Sequence, residues 1–292
     1  MPQLLPPVTL PNLTQNQKPP QIEDIELRLF LEAVFLKYHY DFRGYALASI
    51  KRRLLQACQK YECATFSDLQ GLILRDPALM AELLAYLTVQ VSELFRDPSY
   101  FRAIREKVVP HLKTYPSLKV WVAGCSTGEE LYSMAILFRE EGLEERTMFY
   151  ATDINPEALK QAQAGVYSID RIQTFTENHR QSGGKSSLSD YYTAAYGWAT
   201  FDKSLRARTV FSDHSLATDA VFAETQFVSC RNVLIYFNRP LQTRAIGLFH
   251  ESLSRNGFLG LGSRETLRFT SYADEFTEFS YGDRLYQKRG EG

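Results

Sequence analysis

The stretch from Val120 to Glu130, Val-Trp-Val-Ala-Gly-Cys-Ser-Thr-Gly-Glu-Glu, holds the densest chemistry in the chain. An apolar run breaks into small residues, and two carboxylates follow at once. This pattern reads as a buried strand, a loop whose backbone approaches a ligand closely, and the start of a helix. Gly124 and Gly128 bracket the turn, Ser126 and Thr127 are candidate caps, and Glu129 and Glu130 stand in the first helical turn, where the dipole favours them. Paired carboxylates repel a pyrophosphate and attract an ammonium or sulfonium group. The Gly-x-Gly-x-x-Gly fingerprint of dinucleotide sites is also incomplete, because Gly124, Ser126 and Glu129 occupy its three places. S-adenosylmethionine (SAM) therefore suits this loop better than a nicotinamide dinucleotide.

Four further segments carry chemistry. Asp153, in Tyr150-Ala-Thr-Asp-Ile-Asn155, ends the next predicted strand, where an acid accepts both hydroxyls of a ribose; Asn155 already supplies the following helix cap. Cys230-Arg-Asn-Val-Leu-Ile-Tyr-Phe237 closes a strand beside the first, across the switch point of an open sheet. Val233, Leu234, Ile235 and Phe237 read mostly as core, whereas Arg231 and Asn232 must find hydrogen-bond partners, and the crevice offers an adenine or a substrate. In Val91-Ser-Glu-Leu-Phe-Arg-Asp-Pro98, Arg96 is placed either to fork a ligand carboxylate or to make an interdomain salt bridge. Arg43, Lys51, Arg52, Arg53 and Lys60 give one helix a basic face, which is either plain solvated surface or a patch for an acidic partner.

The elements that position these residues fall into two grammars. Residues 1–20 contain six prolines and no hydrophobic period, so a flexible tail is expected. Residues 21–105 read as an all-helical domain, with helices over Ile22–Lys37 and about Ala46–Lys60, a capping box at Thr65 and Asp68, and cap-plus-proline starts at Asp76-Pro77 and Asp97-Pro98. From 106 to 292 strands and helices alternate. Strands are expected at Val120–Ala123, Met148–Thr152, Arg208–Phe211, Phe227–Cys230 and Phe258–Leu261, with helices at Glu129–Glu140, Pro156–Ala164 and Pro240–Leu253. This is an α/β, doubly wound parallel sheet, finished by an antiparallel edge from Phe276–Phe279 and Leu285–Gln287. Residues 166–207 are too long for a loop and predict a small inserted subdomain of mixed helix and strand.

Composition narrows the classes. A 292-residue chain that is 45% hydrophobic with net charge −1 can bury a large core and projects no global basic field toward nucleic acid. The cysteines, Cys58, Cys63, Cys125 and Cys230, form no Cys-x-x-Cys pair and the five histidines are scattered, so no metal site is expected. No run reaches the ~18 apolar residues of a membrane helix, and the Pro-rich start lacks a signal peptide's apolar core. Reduced thiols and a cytoplasmic location are the expectation.

Four separated blocks resemble the chemotaxis receptor glutamate O-methyltransferases, the CheR family: Ser92–Asp97, Ala123–Glu130, Ala151–Ile154 and Cys230–Phe237. The resemblance implies a Rossmann-like SAM-dependent methyltransferase domain, a helical N-terminal domain that contacts receptors, and an inserted β-subdomain. It puts SAM contacts on Gln90, Ser92, Arg96, Glu129, Asp153, Ser215, Leu216, Asn232 and Val233, beside the loop glycine Gly124. The family's Asn-x-Thr-x-Phe-Phe-Arg appears here with Gln90, Ser92 and Leu94, and its Asn-Leu pair as Ser215-Leu216.

The implied reaction moves a methyl group from SAM to glutamate carboxylates on the cytoplasmic domain of methyl-accepting chemoreceptors, leaving a methyl ester and S-adenosylhomocysteine (SAH). Arg96 and Tyr236 are the candidates for contact with the reacting groups, and Arg43, Lys51, Arg52 and Arg53 for gripping the receptor. No general base is needed, since a carboxylate is already an anion at neutral pH. The segment Tyr191–Phe211 is a few residues short of the form that docks a receptor's C-terminal tether, so tether independence is expected, along with a monomer that neither enters membranes nor binds nucleic acid. Rival readings are a SAM-dependent enzyme with another acceptor, a non-catalytic SAM-binding signalling module, and a dehydrogenase.

Overall fold

A computed structural model describes residues 21–290; the expected tail at 1–20 lies outside them. The chain begins with four helices, α1 (Ile22–Tyr38), α2 (Leu47–Lys60), α3 (Phe66–Arg75) and α4 (Pro77–Leu87). Leu27, Phe30 and Val34 of α1 lie one turn apart and are buried against Ile50 and Leu54 of α2, Leu69 and Ile73 of α3 and Leu83 of α4, so helical periodicity alone builds this core. The start signals at α3 and α4 form as read. Thr65 Oγ1 accepts from the Asp68 amide at 3.1 Å while Asp68 accepts from the Thr65 amide at 2.9 Å, and Asp76 accepts from the Ala78 amide at 2.9 Å.

The third expected cap does not form. Asp97 precedes α5 (Pro98–Ala103) with φ 59° and no capping bond, because its carboxylate pairs instead with Arg231 Nη2 at 2.7 Å. Helix α5 runs through a π turn, Ile104–Val108, into α6 (Val109–Leu112). The apolar residues from Leu94 to Leu112 are buried in the core of the sheet, with Val120, Val122 and Phe138, and not in that of α1–α4.

Strand and helix then alternate: β1 (Leu118–Ala123), α7 (Glu129–Glu140), β2 (Thr147–Asp153), α8 (Pro156–Ala164) and, after an insertion, β6 (Thr209–Asp213), β7 (Thr225–Cys230), α10 (Arg239–Ser252) and β8 (Leu253–Leu261), followed by β9 (Phe276–Ser280) and β10 (Leu285–Lys288). Seven strands form one sheet in the order β6-β2-β1-β7-β8-β10-β9. The first five are parallel, and β10 returns antiparallel to both β8 and β9. The fold is therefore the expected Rossmann-like sheet with an antiparallel edge. With β2 on one side of β1 and β7 on the other, the strand order reverses at β1, which opens a crevice at the carboxyl ends of these strands. The insertion holds β3 (Val166–Ser168), α9 (Ile172–Gln181), β4 (Tyr192–Ala195) and β5 (Trp198–Phe201), with a small antiparallel sheet ordered β3-β5-β4.

Helical and sheet units meet over the crevice. The Ala46 amide donates to the Tyr236 carbonyl and the Asn238 amide to the Gly44 carbonyl, both at 2.8 Å, and the Tyr45 and Phe237 rings meet edge-on at 4.9 Å. Among the described residues no helix is long and apolar enough to cross a membrane.

Candidate functional site

The carboxyl ends of β1, β2 and β7 open into a cleft of about 910 Å³, roofed by the α1–α4 unit and by the linker from Thr88 to Arg96. Its floor is the loop after β1. Gly124 has φ 70°, and a Cβ there would stand 2.4 Å from Val233 Cγ2, so only glycine fits this position. The expected caps do other work. Gly128, at φ 95°, holds the N-cap position of α7, Ser126 Oγ donates to Gln90 Oε1 at 2.6 Å, and Thr127 Oγ1 donates to Glu129 at 2.7 Å. Gln90 thus ties the linker to the loop.

Asp153 ends β2 as expected and lines the cleft. Its two oxygens accept from the amides of Ser126 at 2.8 Å and Asn155 at 2.9 Å, which leaves lone pairs for a diol. Burial pushes its carboxyl up from the ordinary aspartate range, against those amide hydrogen bonds.

The first turn of α7 sends its two carboxylates to different places. Glu129, expected to touch the ligand, is 0% exposed, carries an ion pair to Arg171 at 2.9 Å and does not line the cleft. Glu130 lines it instead, and also accepts from Ser229 Oγ at 2.6 Å and Arg231 Nη1 at 3.2 Å. Ser215 stands beside the lining, its amide donating to Asp219 at 2.9 Å, while its neighbours His214 and Leu216 are part of it.

Gln90, Ser92, Arg96, Gly124, Asp153, Leu216, Asn232, Val233 and Tyr236 all converge on the cleft. Arg96 donates to the Val91 carbonyl at 3.3 Å, and among the described residues no carboxylate pairs with it. Arg231, expected to need hydrogen-bond partners, lines the cleft and finds them within the protein. Its side chain is 1% exposed and bonds Asp97, Glu130 and the Arg96 carbonyl while lying over the Tyr100 ring. Asn232, at φ 61°, is held by its amide, which donates to Glu265 at 3.0 Å; Glu265 also accepts from Gly262 and Ile235.

The expected basic face is divided, and Arg43 precedes α2 instead of lying on it. Arg43 is neutralised by Asp41 and Glu32, and Lys51 by Glu23 and Asp24 of α1, so neither is a free cation. Arg52 is exposed. Arg53 is 6% exposed, donates to the Leu87 carbonyl, lies over the Tyr236 ring at 4.8 Å and lines the cleft. Burial pushes its guanidinium down from the usual arginine value.

Sequence reasoning missed Glu130's place in the lining, His214, Glu265 and Tyr45. His214 sits one residue before a segment already singled out; Tyr45 and Glu265 had no local signal. Among the described residues no group of histidine, cysteine, aspartate and glutamate side chains could hold a metal.

The donor set fits SAM. A diol-accepting carboxylate, a second carboxylate, an arginine without an acidic partner, and an apolar corner at Leu216 and Val233 match ribose, ammonium, carboxylate and adenine in turn.

The chain is similar to known proteins over most of its length. Residues 90–281 match the family model "CheR methyltransferase, SAM binding domain", and residues 25–88 match "CheR methyltransferase, all-alpha domain". The chain is 58% identical over 265 residues to the Pseudomonas putida protein Cher3, covering 91% of this chain and 97% of that one. It is 31% identical over 229 residues to a chemotaxis protein methyltransferase of Listeria monocytogenes, covering 78% of this chain and 84% of that one. A solved magnesium protoporphyrin IX methyltransferase from Synechocystis PCC 6803, with bound SAM, overlays at TM-score 0.37 and 16% identity across 75% of this chain and 94% of that chain.

Proposed function

The chain belongs to the CheR methyltransferase family and is a SAM-dependent methyltransferase, and from that premise we propose that it esterifies glutamate side chains on the cytoplasmic domains of methyl-accepting chemoreceptors, for adaptation in chemotaxis-type signalling. One observation carries the choice of acceptor. Arg53 and Arg96 line the same cleft as Asp153 and Glu130, and neither arginine has a carboxylate partner among the described residues. The carboxylate of SAM answers Arg96, and an anionic acceptor answers Arg53.

Bound SAM supplies an electrophilic methyl group on a sulfonium. Asp153 holds the ribose hydroxyls, Glu130 the methionine ammonium, Arg96 the methionine carboxylate, and Leu216, Val233, Asn232 and His214 surround the adenine. Arg53 and Tyr236 orient the incoming carboxylate. With an ordinary pKa of about 4.3, that carboxylate attacks as an anion and needs no base. Opposite charges on donor and acceptor diminish in the transition state, so in-line positioning and exclusion of water are what the protein provides. Gln90 serves this by keeping the linker against the loop.

In this reading the product is SAH, no metal takes part, and the enzyme works in the cytoplasm as a monomer without a receptor tether. The test is transfer of tritium from methyl-labelled SAM to receptor membranes, followed by base treatment. Volatile, base-labile counts are expected. Counts stable to base would assign another acceptor, and SAH binding without any transfer would make the protein a non-catalytic signalling module.

A further inference from the structure

Three polar side chains of the inserted subdomain reach the two segments that flank the cleft. Tyr167 donates to the Thr127 carbonyl at 2.8 Å, beside the glycine loop, and Asn178 donates to the Leu94 carbonyl of the linker at 3.1 Å. Arg171, between β3 and α9, reaches both at once. Its guanidinium donates to the Ser92 carbonyl, ion-pairs with Glu129 Oε1 at 2.9 Å, and lies over the Phe175 ring at 4.8 Å. Glu129 is fully buried, and among the described residues Arg171 is the cation that neutralises it.

We infer that Arg171 is a positioning residue for the methyl-donor site, holding the Ser92 linker against the first turn of α7 so that Ser92, Arg96 and Glu130 face one ligand together. The inference rests on the reading of the cleft as a SAM site. A guanidinium suits the task because its planar fork serves a carbonyl and a carboxylate simultaneously, which a single ammonium does less well. The insertion is then part of the donor site and not an appendage to it.

SAH binding by calorimetry on the full chain is the test, with the unaltered protein as reference. Arg171→Met is expected to weaken SAH about tenfold, Arg171→Lys to recover part of that loss, and the KM for SAM to rise in step while kcat stays within about twofold. Arg171→Met also strands the Glu129 charge, so Glu129→Gln is added in the same chain. That double variant regains thermal stability and still binds SAH weakly, because the tie to Ser92 is missing. SAH affinity returning to the reference value in the double variant, or never departing from it in Arg171→Met, overturns the inference. Failure of the unaltered protein to bind SAH would instead overturn the functional reading on which it rests.

Discussion

Glu129 and Glu130 are neighbours whose side chains leave a helix about 100° apart, so only one of them can face a given cleft. Glu130 does, and Glu129 serves Arg171. Glu130→Gln is therefore expected to raise the SAH dissociation constant about tenfold, some 1.4 kcal/mol, while Glu129→Gln changes it less than about threefold. Titration calorimetry separates the two. The same logic revises the view of the basic helix. With Arg43 and Lys51 already neutralised and Arg53 inside the cleft, the basic residues of this stretch belong partly to the surface and partly to the site. Arg53→Met alone is expected to raise the KM for receptor at least tenfold and leave SAH affinity within about twofold, whereas Arg52→Met leaves both near their starting values. A loss of SAH affinity in Arg53→Met would move Arg53 to the donor half of the cleft.

At the scale of elements, the insertion is pinned to the end of α7 by a buried cluster. Glu140 accepts from His179 across 3.0 Å and pairs with Arg105, and the Ser186 and Tyr191 hydroxyls and the Lys185 amide also reach it. Burial pushes its carboxyl up, but His179 and Arg105 outweigh burial and hold it at about 2, below the ordinary glutamate value of 4.5. A carboxyl whose folded pKa is depressed contributes stability above the unfolded value and loses it as pH falls toward the folded one. Stability should thus decline between about pH 4.5 and pH 2. Glu140→Gln should lower the melting temperature at pH 7 by roughly 5–10 °C, since breaking a buried pair costs about 3 kcal/mol, and should flatten that acid limb; calorimetry across pH measures both. Elements of this kind were legible wherever their signal is local. The Thr65–Asp68 box, the Asn155 cap, the helix at Glu129–Glu140 and the parallel strands sit where period and cap residues put them. Side chains whose partners come from elsewhere in the chain were not. Asp97 looks like a cap in isolation, but Arg231 lies too far along the chain for a local pattern to register the pair, and the acids that silence Lys51 belong to another helix.

The whole molecule is built so that its two units share one cleft. The α1–α4 unit supplies Tyr45, Arg53 and Leu87 to a lining whose floor belongs to the sheet, and the join is made by backbone hydrogen bonds between 44–46 and 236–238. Neither unit can shift without opening the site. The contact is tight at Gly44, where a Cβ would stand 2.9 Å from Leu241 Cδ2 and 3.1 Å from Leu241 Cβ. Alanine needs a small yielding of the leucine, but the branched methyls of valine need the helices to part. Gly44→Val is expected to weaken SAH about tenfold, although residue 44 lies outside the cleft lining, and to split thermal unfolding so that the helical unit melts first. The parent chain should unfold in one transition that moves upward as a whole when SAH is added, because a ligand held by both units stabilises both. If Gly44→Val melts in one step and binds SAH like the parent, the two units are joined only loosely and the roof of the cleft is not set by this contact.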